Sequence, residues 1–181
     1  METLVTRAEW GALPPSQQWR ALPRTLGVKI HYEGREVPAD LAAPDQHHRC
    51  AARVREIQAM HLADAGQGWI DIAYNAVVCP HGQVFEGRGA HRESGANGDR
   101  GLNRAHYAVC AMLGDRGLTE PGPALLDGLC DAVDWLRDQG GAGPEVAGHR
   151  DGRETDCPGE PLYRWILAGA PRPRPGLTRR A

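Results

Sequence analysis

The sequence predicts an α/β fold, a mixed central β-sheet flanked by helices in a single domain. Three observations lead there. Short apolar runs of strand length alternate with segments of helical periodicity. Gly and Pro, 23 and 14 of the 181 residues, punctuate the chain between those runs. That length suffices for one hydrophobic core without disulfide or metal staples.

Taken in order, residues 1–25 hold Trp10, Trp19 and several prolines, and read as an N-terminal arm packed on the domain without a regular strand or long helix. The domain proper is expected over 26–168. Leu26 to Glu33, apolar but for Lys29, His31 and Glu33, reads as a strand at a central position in the sheet. Residues 36–48, with Pro38 and Pro44, read as a loop. Arg49 to Asp64 carries Ala51, Val54, Ile57 and Met60 or His61 at three- and four-residue steps, which predicts an amphipathic helix.

Tyr74–Cys79 and Gln83–Glu86, joined by Pro80-His81-Gly82, predict a hairpin. The Gly-rich stretch 86–104 has no period and reads as a functional loop. Ala105–Leu113 is a further buried strand. A helix follows, with Thr119 as its cap and Pro121 in its first turn; it carries Leu125, Leu126, Leu129, Val133 and Leu136 on one face and stops at Gly140-Gly141. Glu145–Gly148 is a short strand and Leu162–Leu167 a last helix packing Trp165. The Pro- and Arg-rich tail 169–181 lacks core-forming residues and is expected to be disordered.

Composition excludes some functions. Lys and Arg number 21 against 23 Asp and Glu, a net charge of -2, which is not the basic excess of a nucleic-acid binder. No apolar run is long enough to cross a membrane. The N-terminus has no basic region followed by an apolar stretch, so synthesis in the cytoplasm without a signal peptide is expected. The five Cys are odd in number and form no CxxC pair; Cys79, Cys110 and Cys130 fall in apolar or helical patterns and read as buried reduced thiols.

Chemistry concentrates in GHRDGRETDCPG, residues 148–159, where His149 and Cys157 stand eight positions apart in a turn-rich loop. A catalytic zinc site takes three N, S or O donors and leaves a fourth position open. The best third donor is His31, inside the first strand. A lone loop histidine is more often solvated, and a Cys beside Pro158 is as well explained as a buried thiol.

Four segments, GVKIHY, GWIDIAYNAVV, GQVFEGRG and GHRDGRETDCPG, occur in this order over roughly Val5 to Trp165. In that order and spacing they resemble the type 2 N-acetylmuramoyl-L-alanine amidases, which include the peptidoglycan recognition proteins and the phage T7 lysozyme type. The resemblance implies Zn2+ in a groove at the sheet, held by His31, His149 and Cys157. It implies Tyr74, in the GW-x-D-I-x-Y motif, and Thr155, two residues before the Cys, as catalytic residues. Implied substrate contacts are His61, Arg88, Asn97, Asn103 and His106. The implied partner is peptidoglycan or its muropeptides. A monomer is expected, and without a signal peptide it would reach the cell wall by holin-type release or another non-Sec route. Gly95-Ala96-Asn97 departs from the family's Gly-Ala-His, and Tyr32 and Glu33 replace a His and a small polar residue, which alters the expected groove floor.

Overall fold

The computed structural model describes residues 4–173. Its elements are β1 (Leu4–Val5), α1 (Arg7–Trp10), β2 (Thr25–Tyr32), α2 (Cys50–Ala63), β3 (Ala76–Val78), β4 (Val84–Glu86), α3 (Arg100–Ala105), β5 (His106–Ala111), α4 (Pro123–Gly140), β6 (Ala142–Gly148) and α5 (Glu160–Leu167). One six-stranded sheet runs β1-β4-β3-β5-β2-β6. The β3–β4 hairpin is antiparallel and every other pairing is parallel, so the sheet is mixed as the sequence predicts.

Side chains alternate across each strand, which divides the core in two. Val28 and Ile30 of β2 join Val109, Ala111, Leu125, Leu129, Leu136 and Trp165 on the face covered by α4 and α5. On the opposite face Val77, Phe85, Cys110 and Met112 pack with Val54 and Ile57 of α2 and with Trp10. That second cluster draws no residue from β2 or β6, so α2 leaves the far half of its face open. Lys29 and His31 point into this gap.

Several local readings differ from expectation. Within 1–25, Leu4–Val5 pairs with Val84–Phe85 as an edge strand, and Arg7–Trp10 forms one helical turn with a reciprocal Thr6–Glu9 cap. The loop 36–48 contains two 3-10 turns, Ala39–Ala42 and Pro44–Arg49. The long loop 86–104 ends in α3, capped by Asp99, whose side chain accepts from Leu102 N. Thr119 does not cap α4. Pro123 occupies its first turn and Gly122 is the cap, because a proline fits where its missing N–H costs nothing and forces the residue before it to be extended. Of the tail, 169–173 is described: Arg172 pairs with Asp127, Asp131 and Asp134 of α4, and Trp165 Nε1 donates to Pro171 O at 3.0 Å. Residues 174–181 lie outside the described residues.

A buried carboxylate ties the N-terminal segment to the domain. Asp71 is fully buried; its Oδ1 accepts from Gln58 Nε2 at 2.6 Å and from Ile72 N at 2.7 Å, and its Oδ2 meets Arg7 Nη1 at 3.1 Å and Trp19 Nε1 at 3.2 Å. Removing one partner of such a network strands the others in a dry interior. Asp71→Ala is therefore expected to cost about 3 kcal/mol of unfolding free energy, read by urea denaturation; a loss below about 1 kcal/mol would show that the network is structurally idle.

Candidate metal centre

The site is built by strand register. In the parallel pair β2–β6, Ile30 lies opposite Gly148, which puts His31 and His149 side by side where the two strands end. Their rings are 4.5 Å apart between centroids. A loop then returns the chain so that Cys157 Sγ stands 3.5 Å from His31 Nδ1. Donor atoms of His31, His149 and Cys157 all lie within 4.8 Å of one another.

The tautomer of His31 follows from its neighbour. Asn97 Nδ2 donates to His106 O at 2.8 Å and Ser94 Oγ at 3.0 Å, so its Oδ1 is the atom that faces His31 Nε2 at 2.8 Å. An amide oxygen only accepts, so Nε2 carries the proton and Nδ1 turns its lone pair toward Cys157. Asn103 Oδ1 in turn accepts from Asn97 N and Ser94 Oγ, which fixes the whole loop.

Burial keeps the three candidate ligands uncharged. It lowers His31 to about 3, with the neighbouring His149 adding to the shift. His149 falls to about 4, again by burial first and then by Lys29 and Arg153. The Cys157 thiol is pushed up to about 12. His149 Nε2 is buried with no hydrogen-bond partner among the described residues. Two imidazoles, one of them with an orphaned ring nitrogen, and one thiol form a donor set suited to Zn2+.

The trio opens on a cavity of about 410 Å³ that is also lined by Tyr32, Glu33, Trp69, Tyr74, Arg153 and Thr155. The Tyr74 ring is 5.5 Å from that of His31, and burial, reinforced by Cys110 and Cys157, raises its hydroxyl well above the ordinary 10. Thr155 Oγ1 accepts from Cys157 N at 3.2 Å, which leaves its own proton free to donate. Glu33 is drawn toward α2 by Arg53 at 2.8 Å and by Arg35 at 3.2 Å. An adjoining cavity shares Gln67, Trp69, Gly95 and Gly98 with the first and adds Arg20, Arg88, Arg100 and Asn103.

The structure distributes the expected substrate contacts unevenly. Arg88 and Asn103 reach the adjoining cavity, although Arg88 already spends Nε on Ile72 O and Nη1 on Glu93 O, both at 2.8 Å. Asn97 is fully buried and sits behind His31 instead of facing the groove. The ring of His106 turns away toward Glu145, 2.9 Å from Oε2. His61 lies beneath Trp69 and Tyr74, at 4.3 and 5.4 Å between ring centroids. Sequence reasoning missed the support role of Asn97, the placing of Trp69 over both cavities, and buried Lys29. A short amide in a Gly-rich loop gives no periodic signal, so only the fold reveals the first of these.

His61 Nδ1 accepts from Ala73 N at 2.9 Å, and its pKa falls from 6.5 to about 4, by burial first and then by the charges of Arg88 and Arg35. Between those values the unfolded chain takes a proton that the folded chain refuses. The stability this neutral ring supports is complete above 6.5 and is lost as pH falls toward 4. His61→Gln keeps an acceptor for Ala73 without the titration. It should lose less stability than the parent chain between neutral pH and about pH 5 in urea melts; equal losses would exclude His61 as a source of the acid sensitivity.

No family model matches the chain. It is 35% identical over 168 residues to the N-acetylmuramoyl-L-alanine amidase of Sus scrofa, across 88% of this chain and 26% of that protein, and so spans about a quarter of that relative's length. It is 29% identical over 160 residues to peptidoglycan recognition protein 1 of Mus musculus, across 84% of each. A mutant of Drosophila PGRP-LB in complex with tracheal cytotoxin superposes with a TM-score of 0.76 at 24% identity, over 93% of this chain and 95% of that one. The chain is thus a homologue of the N-acetylmuramoyl-L-alanine amidases and the peptidoglycan recognition proteins, and it carries the fold of the latter.

Proposed function

We propose that the chain is a zinc-dependent amidase that hydrolyses the bond between N-acetylmuramic acid and L-alanine in peptidoglycan, acting as a monomer. The observation that carries this reading is the convergence of His31, His149 and Cys157 at the wall of a cavity that Tyr74 and Thr155 also line. Zn2+ held there would polarise the scissile carbonyl and bring the pKa of water down to roughly 7.

The chain's own residues supply binding and orientation. Tyr74 keeps its phenolic proton across the working pH range and can donate it as a hydrogen bond to the carbonyl oxygen as charge builds there. Thr155 offers a second hydroxyl proton beside Cys157. Asn97 holds His31 in the tautomer that presents Nδ1, and such outer partners set ligand orientation. Trp69 walls the passage to the adjoining cavity, where the guanidinium of Arg100 or Arg20 would meet the carboxylates of a stem peptide. Recognition without cleavage is the second reading. It is favoured by the likeness, over most of both chains, to a protein named for recognition.

Mass spectrometry of purified peptidoglycan after incubation with the zinc-loaded protein separates the two. Peptides beginning at L-alanine, absent under EDTA, are the expected result. A wall that stays intact yet retains the protein would replace the amidase reading with recognition. Tyr74→Phe is expected to lower kcat by about 100-fold with zinc content unchanged; full turnover in that variant would remove Tyr74 from the chemistry.

A further inference from the structure

A second cluster of soft donors lies outside the candidate site. Cys50 opens α2, Cys79 follows β3, and His81 lies in the turn of the β3–β4 hairpin. Cys50 Sγ is 3.5 Å from His81 Nδ1, Cys79 Sγ is 4.0 Å from the same atom, and the three donor atoms lie within 4.8 Å of one another. Both thiols are fully buried. Neither catalysis nor substrate binding as derived above uses any of the three.

The imidazole is set as His31 is set in the first site. His81 Nε2 faces the carbonyl oxygen of Ala43 at 2.9 Å. A carbonyl only accepts, so Nε2 bears the proton and Nδ1 presents its lone pair to the two sulfurs. His47, three positions before Cys50, brings a fourth donor alongside: its ring is 5.1 Å from that of His81, with Nε2 engaged by Gln83 Oε1 at 2.7 Å. The pattern is therefore His-x-x-Cys from the 3-10 turn into α2, and Cys-x-His across the hairpin turn. Two thiolates and two imidazoles are a closed zinc set with no position left for substrate.

We propose that Cys50, Cys79 and His81, completed by His47 when its ring turns from Gln83, form a structural Zn2+ site that fastens the tip of the β3–β4 hairpin to the start of α2. Binding releases one proton from each thiol and leaves both sulfurs as thiolates on the metal. Strand β3 is separated from β2 by β5, so the two sites share no residue and stand on different strands. The structural site holds whether the first site cleaves or only binds.

The test is zinc stoichiometry by elemental mass spectrometry on the full chain, purified under reducing conditions and dialysed free of loose metal. About two ions per chain are expected in the parent and about one in Cys157→Ser, which leaves the second site whole. Cobalt exchanged into Cys157→Ser should show thiolate-to-metal absorption in the near ultraviolet, and adding Cys79→Ser should abolish it. His81→Asn, which leaves both thiols in place, provides a milder variant should the Cys79 change unfold the chain. It should release its second ion to a chelator far sooner than the parent. A Cys157→Ser chain free of zinc and of cobalt absorption would overturn the proposal. So would a disulfide between Cys50 and Cys79 in the freshly purified protein.

Discussion

The candidate site exists because β2 and β6 pair in one register. Ile30 opposite Gly148 sets His31 beside His149, and a slip of one residue would send His31 to the α4 face and His149 out of reach. Gly27 permits that register: a Cβ there would lie 2.1 Å from Glu145 O, closer than any side chain can approach. Cys157, 126 residues after His31, is then delivered by a loop that starts where β6 stops. The reactive groups thus rest on strand ends, with only the third donor left to a loop.

Unequal coverage of the sheet turns that junction into a site. On one face α4 and α5 bury β2 and β5 together, while on the other the cluster under α2 draws on β1, β3, β4 and β5 but on neither β2 nor β6. In the uncovered strip beyond α2 both Lys29 and His31 are buried, and His31 lines the cavity. Dryness has a chemical effect. It holds both imidazoles neutral, the form that donates a lone pair, and keeps the Tyr74 hydroxyl protonated. Lys29, itself buried and lowered by desolvation, adds positive potential beneath His149. The Asp71 network braces this geometry from behind, since it fixes Gln58 of α2, the start of the Trp69–Tyr74 segment and the N-terminal helix to one another.

Most of the sheet and the main helices were legible because burial leaves periodic traces: the apolar run of β2, the three-and-four spacing of α2 and the leucine stripe of α4. The trio His31, His149 and Cys157 was legible only through motif resemblance, since nothing local joins a strand histidine to a loop cysteine. What the sequence hid is what tertiary packing decides. Leu4–Val5 is too short to announce itself as a strand and forms because β4 offers a free edge. The α4 cap moved three residues because two prolines compete for the first turn. Asn97 looked like a groove residue and is instead the inward support of His31, since its loop folds under β2.

Strand register, not the loop alone, would assemble the proposed three-donor zinc site. An anomalous-difference map recorded at the zinc absorption edge from crystals of the parent chain tests it most directly. A peak is expected between His31 Nδ1, His149 and Cys157 Sγ, about 2.0–2.1 Å from each nitrogen and about 2.3 Å from the sulfur. The absence of a peak at that position in zinc-supplied crystals, or a peak ligated without Cys157, would contradict it.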